Sequence, residues 1–143
     1  MSIIKEKYPM PLTTFSIKKI MTNKELDIYL ESIGGLINGW TGNKILSSDF
    51  FDTNICWNQL LKDLIGDLIE LGWNKEVCQV KEKFGGLRFY INESSEEVFR
   101  RIREAEEKSY TICEVTGEPG KLRKDIGWIR TLSDEEYSKI KNV

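Results

Sequence analysis

Apolar and polar residues alternate with a period of two through Gln79-Val80-Lys81-Glu82-Lys83-Phe84-Gly85-Gly86-Leu87-Arg88-Phe89-Tyr90. That period predicts paired strands. Gly85-Gly86 reads as the two-residue loop of a β-hairpin, because such loops require positive φ angles. Centring the turn there pairs Phe84 with Leu87, Lys83 with Arg88, Glu82 with Phe89, Lys81 with Tyr90 and Val80 with Ile91. One face then carries Gln79, Lys81, Lys83, Arg88 and Tyr90. The other carries Cys78, Val80, Phe84, Leu87, Phe89 and Ile91, with Glu82 out of place. The hairpin is expected over residues 76–92.

Elsewhere the apolar period is helical. Thr22 or Asn23 can cap a helix over Lys24–Ile33, ended by Gly34-Gly35. Residues 54–71 carry Trp57, Leu60, Leu61, Leu64, Ile65, Leu68, Ile69 and Leu71, a stripe too wide for a surface helix, so this helix is expected to be buried on much of its circumference. Ser94 with Glu97 fits a capping box for a helix running to Lys108, with Val98, Ile102 and Ala105 inward and a solvated mixed-charge face outward. Ser133 with Glu136 fits another, for a final helix carrying Tyr137 and Ile140. Leu122 and Trp128–Leu132 read as two short strands. Pro9 and Pro11 break the N-terminal stretch, where one short strand is expected around Thr14–Ile17. The fold class expected is α+β: a small antiparallel sheet built on the central hairpin, with the long helix and the third helix packed on one face. Residues 1–143 are expected to form a single domain, with 110–143 as a distinct C-terminal subregion.

The totals narrow the function classes. The chain has 143 residues and a net charge of −2, so no overall basic field draws it to long nucleic acid. No apolar run is long enough to span a bilayer, and the N-terminal stretch lacks a signal-peptide core. Three scattered cysteines, Cys56, Cys78 and Cys113, read as reduced thiols in a cytoplasmic protein. The absence of histidine removes the commonest general base and metal ligand. The expectation is a non-enzymatic protein with no catalytic residue and no cofactor. A carboxylate hydrolase using Asp49, Asp52 and Glu82 is a weaker alternative, since no spacing joins them.

A knuckle, a short hairpin and a following helix form the layout of a treble-clef zinc module, which needs four soft ligands. Here the four positions hold Cys113, Thr116, Ser133 and Glu136. One thiolate is too few, so a metal-free treble-clef-like module is expected, held by packing of Ile112, Pro119, Leu122, Trp128 and Leu132.

The polar face of the hairpin sets Lys83 opposite Arg88, and like charges so placed destabilise a sheet. A bound anion relieves that cost. The competing reading has the side chains splaying into water, or satisfied by Glu82, Glu93 or the acidic helix. On the anion reading Lys81, Lys83 and Arg88 meet a diphosphate, with Arg130 a further cation. Tyr90, Trp40 or Trp128 stack on an adenine, and Phe84 lines the site beside the glycine turn. Trp40, in the loop Gly39–Asn43, reads either as a plug under the loop or as a pocket wall.

The motif Val80–Tyr90, followed by Ala105-Glu106, Ser109, Thr111-Ile112-Cys113-Glu114, Gly117, Pro119-Gly120, Trp128 and Thr131-Leu132, resembles a family of small, mostly uncharacterised proteins common in phages and prophages. The resemblance covers the chain from Gln79 onward, with a weaker match at Gly39-Trp40. Relatives often keep Cys-x2-Cys and a second cysteine pair that this chain lacks, so no metal role carries over. The resemblance implies phage origin, a place in the host cytoplasm and a counter-defence role: sequestering a nucleotide-type signal, ADP-ribose-derived or cyclic, from host effectors. The alternative is a protein-interaction module, an inhibitor of a host protein or a virion-associated factor, with no small-molecule ligand. A homo-oligomer is a further expectation, because small binders often build pockets between subunits.

Overall fold

In the computed structural model residues 19–141 are described; the strand expected around Thr14–Ile17 lies outside them. Helix α1 spans Asn23–Ser32. Thr22 is its cap: its hydroxyl accepts from the Glu25 N–H at 3.0 Å, and the Glu25 carboxylate accepts from the Thr22 N–H at 2.9 Å, a reciprocal capping box. At the other end Lys75 Nζ donates to the Ile33 carbonyl at 2.8 Å, placing a cation where the helix dipole is negative.

Strand β1 (Leu36–Asn38) pairs antiparallel with β2 (Lys44–Ile45) and parallel with β3 (Glu76–Val77). The strands therefore form a mixed sheet ordered β2-β1-β3, separate from the hairpin. This corrects the expectation of one antiparallel sheet with residues 76–92 as a continuous hairpin. Leu36 and Val77 are fully buried, so joining β3 to β1 gives both a shared apolar side. The chain bends at Cys78, whose N–H returns to the hairpin on the Tyr90 carbonyl at 2.7 Å.

Helix α2 spans Asn58–Glu70 and is preceded by a 3-10 turn, Ile55–Trp57. The expected single helix over 54–71 is thus tightened in its first turn, a common form of helix entry. Buried Asn58 ties this entry to the start of α1 by donating to the Met21 carbonyl (3.0 Å) and to Asn23 Oδ1 (2.8 Å). Leu60, Leu61, Leu64, Ile65 and Leu68 are all buried, as the wide stripe predicts. Each contributes about 1.5–3 kcal/mol of burial.

The hairpin is β4 (Gln79–Lys83) with β5 (Gly86–Tyr90). Helix α3 spans Glu96–Ser109, and its cap is Ser95, not Ser94: the Ser95 hydroxyl accepts from the Val98 N–H at 3.2 Å. The C-terminal part is a second hairpin, β6 (Lys121–Arg123) with β7 (Arg130–Leu132), and helix α4 (Asp134–Lys141). The Ser133 hydroxyl accepts from the Glu136 N–H at 3.2 Å. Trp128 is 71% exposed in the loop joining β6 and β7, and Pro119 is exposed as well, so neither packs this region as expected, whereas Leu132 is fully buried as expected. Val80, Leu87 and Phe89 of the hairpin join α1, α2, α3 and the small sheet in one core cluster.

Candidate functional site

The hairpin turn is centred one residue earlier than its glycines suggest. Phe84 (φ 55°) and Gly85 (φ 84°) are the two loop residues, and two positive φ angles define a type I′ turn. The register is Lys83 with Gly86, Glu82 with Leu87, Lys81 with Arg88, Val80 with Phe89 and Gln79 with Tyr90. Moving the turn by one residue moves each partner by two, and that shift leaves every strand side chain on its expected face. Gly86 is needed within the strand: a Cβ there would overlap the Tyr110 ring. Phe84, expected on the apolar face, instead sits at the tip, 60% exposed, with the Lys83 ammonium 5.5 Å from its ring centroid.

Two side chains lock this turn. Glu82, out of place on the apolar face, accepts from the Gly85 N–H at 2.7 Å through Oε2. Buried Thr131 of β7 donates through Oγ1 to the Gly85 carbonyl at 2.7 Å. Helix α3 closes the outer edge of β5. Ser109 Oγ accepts from the Leu87 N–H at 2.9 Å, and Glu106 Oε2 accepts from the Phe89 N–H at 3.0 Å. Glu106, Ser109, Thr131 and Glu82 therefore account structurally for much of the motif. Residue spacing gave Glu106, Ser109 and Thr131 no role, because each bonds to backbone remote in the chain; Glu82 was read as a charged group, not as the partner of the turn amide three residues on.

Arg88 is held as well. Its Nη1 donates to the Tyr110 hydroxyl and to the Leu87 carbonyl, both at 3.1 Å. The Tyr110 bond favours the charged guanidinium and raises its already high pKa further. The residue across from Arg88 is Lys81, not Lys83. Among the described residues Lys81, Lys83 and Arg88 form no ion pair. Tyr90 lies on the same face. Trp40 is 78% exposed, yet its Nε1 donates to the Cys78 carbonyl at 3.1 Å, which ties the indole to the open end of the hairpin. Trp40 is therefore not a plug beneath its loop.

Trp128 and Arg130 stand elsewhere, in a cleft of about 330 Å³ with Asp52, Thr53, Asn54, Glu82 and Glu114. Arg130 Nε is paired with Glu114 Oε1 at 2.8 Å, and both side chains are largely buried. Asp52 reaches the cleft because its segment lies along β4: the Asp52 N–H donates to the Val80 carbonyl (2.8 Å), and the Glu82 N–H to the Asp52 carbonyl (3.0 Å). Asn54 Oδ1 is buried without a partner. Three carboxylates surround one guanidinium that is already paired, so this cleft repels phosphate. The eight candidate residues thus divide: Lys81, Lys83, Arg88 and Tyr90 share one face with Trp40 near its end, Phe84 is at the tip, and Trp128 with Arg130 belongs to the acidic cleft.

Among the described residues no group of three or more Cys, Asp or Glu side chains is arranged to hold a metal ion. The buried Cys113 thiol faces donors instead. Burial pushes its pKa up, but the Thr116 hydroxyl and the backbone N–H groups of Ser133, Val115 and Thr116 outweigh burial and hold it below the ordinary value. Glu136 pairs with Lys139 at 2.8 Å. No helix of the described residues is long and apolar enough to cross a membrane. Comparison with protein-family models, curated proteins and solved structures returns no match.

Proposed function

We propose that the outer face of the hairpin is an anion-binding surface, and that the protein captures a phosphate-bearing ligand of the nucleotide class without turning it over. The observation that carries this reading is the Lys81–Arg88 pair: two cations directly opposed across the hairpin, with Lys83 beside them, and no ion pair to any of the three among the described residues. An anion bridging them removes the repulsion. Trp40, exposed but pinned, supplies a preorganised stacking surface worth about 1–3 kcal/mol per base. The face is open, whereas ligand sites usually bury most of the ligand, so a second copy of the chain would complete the site. The resemblance to phage proteins gives this capture a purpose, withholding an ADP-ribose-derived or cyclic nucleotide signal in the host cytoplasm. On the same reading residues 110–143 are a treble-clef-like module stabilised by packing and by hydrogen bonds to Cys113 in place of metal.

Calorimetric titration with ADP-ribose and cyclic dinucleotides tests the proposal. Lys81→Ala is the informative variant, since Arg88 is also bound to Tyr110. Affinity is expected to fall about tenfold, while the melting temperature without ligand holds or rises. Ligand binding that ignores Lys81→Ala, or no binding at all, would sink it.

A second reading rests on the cleft. Exposed Trp128 lines the cleft together with Asp52, Glu82 and Glu114, a set of carboxylates beside an aromatic face. That set suits an arginine or lysine of a protein partner. Anisotropy of a labelled oligo-arginine peptide should rise with the parent and not with Trp128→Ala; equal binding to both rules the cleft out.

A further inference from the structure

Between α2 and α3 lies a cavity of about 140 Å³ that neither reading uses. Its apolar lining comes from Met21, Leu60 and Ile112, with the buried Cys56 thiol beside them. Its rim is cationic, formed by Lys19, Arg101 and Lys108. Arg101 and Lys108 are seven residues apart on α3 and so share one face of the helix. Opposite them on α2 stand Gln59 and Asp63, and these satisfy each other: Gln59 Nε2 donates to Asp63 Oδ1 at 2.9 Å. Arg101 is held in place by its Nε, which donates to Asp67 Oδ2 at 2.8 Å, while its Nη groups make no hydrogen bond among the described residues. Lys19 pairs with Glu25 at 3.3 Å. Lys108 forms no ion pair among the described residues.

We infer that this cavity is a binding site for a small amphipathic carboxylate. A volume near 150 Å³ accommodates a benzene-sized body, so the apolar part of the ligand is an aryl ring or a short alkyl chain. The carboxylate meets the Nη fork of Arg101, a geometry that guanidinium matches with two bonds, with Lys108 as a second cation. A neutral molecule of the same shape keeps the apolar contacts and loses the charge-assisted ones. The site is separate from the hairpin face, and neither depends on the other.

Backbone amide NMR titration of the full chain with benzoate, hexanoate and neutral benzamide tests the assignment. Benzoate or hexanoate should saturate shifts confined to the residues around the cavity, 19–21, 56–63, 101–108, 112 and 117, and bind about tenfold tighter than benzamide. Arg101→Gln should remove that advantage without changing the amide spectrum of the free protein elsewhere. Cys56→Met, which fills the cavity from its wall, should abolish shifts from both acids. If that variant does not fold, protection of Cys56 from alkylation by saturating benzoate replaces it. Shifts centred on another region, no saturation by either acid, equal binding of benzamide, or unprotected Cys56 would overturn the inference.

Discussion

One methyl group tests how the hairpin turn is fixed. Gly86 lies within β5, and a side chain there would overlap the Tyr110 ring. Gly86→Ala is expected to cost about 1–3 kcal/mol, the usual range for overpacking a fixed neighbour, read as a lower urea midpoint; an unchanged midpoint would mean that Tyr110 moves freely. The position of this turn was not legible in the sequence. A Gly-Gly pair is the natural place for two positive φ angles, and a bulky Phe84 at φ 55° is the less expected choice. Only the Tyr110 ring, far along the chain, explains why the second glycine belongs to the strand. Cys113 offers a second test, in pH. Its thiol pKa is lowered in the folded protein: burial opposes the thiolate, but the Thr116, Ser133 and Val115 donors prevail. A lowered folded value means that the stabilisation is fully present above the unfolded thiol pKa and is lost as pH falls through the folded one. Cys56 acts oppositely, because burial, then Cys113 and Glu114, raise its pKa. In a Cys56→Ala background, therefore, the stability lost on Cys113→Ala should grow as pH rises toward the ordinary thiol value of about 8.5. Thermal melts across that window that show a constant difference would contradict the donor arrangement.

At the level of elements, α3 serves the hairpin as an edge cover. Strand edges left unpaired are sticky, and here Ser109 and Glu106 close the outer side of β5 through the Leu87 and Phe89 amides. Ser109→Ala leaves the buried Leu87 N–H without a partner, which costs about 1–3 kcal/mol. Hydrogen exchange at the Leu87 amide should accelerate more than at Val98 within the helix; uniform acceleration would place the effect in the whole fold instead. The helices themselves were legible because their signals are local. Thr22, one of the two caps expected, caps α1, and the stripe of α2 is buried from Leu60 to Leu68 as read, while Leu71 past the helix end is exposed. The cap of α3 slipped by one residue because Ser94 and Ser95 both qualify. The helix takes Ser95, which leaves Glu96 and Glu97 in its first turn, where the dipole favours acids.

Across the whole molecule, legibility falls with separation along the chain. The two faces of the hairpin were readable because alternation survives a two-residue change of partner. The parallel pairing of β1 with β3 was not, since a two-residue strand has no period and its partner lies beyond α2. The acidic cleft assembles Asp52, Glu82, Glu114 and Trp128 from four separated segments. No spacing could have joined them, and Trp128 and Arg130 were accordingly grouped with cations on another face.

The bond from Thr131 to the Gly85 carbonyl joins residues 46 apart in the chain, and this separation orders events in time. On a growing chain the hairpin turn emerges long before its lock does. The turn must therefore form first on local preference alone, or wait for β7. Thr131→Val keeps the buried shape and removes the donor, at about 1 kcal/mol or roughly fivefold in rate. If the lock closes after the transition state, stopped-flow measurements should show unfolding accelerated by that factor and refolding unchanged; slowed refolding with unfolding unaltered would reverse the order. A late lock makes the β6–β7 hairpin a brake on unfolding, so that the lifetime of the native turn is set by a residue synthesised 46 positions after it.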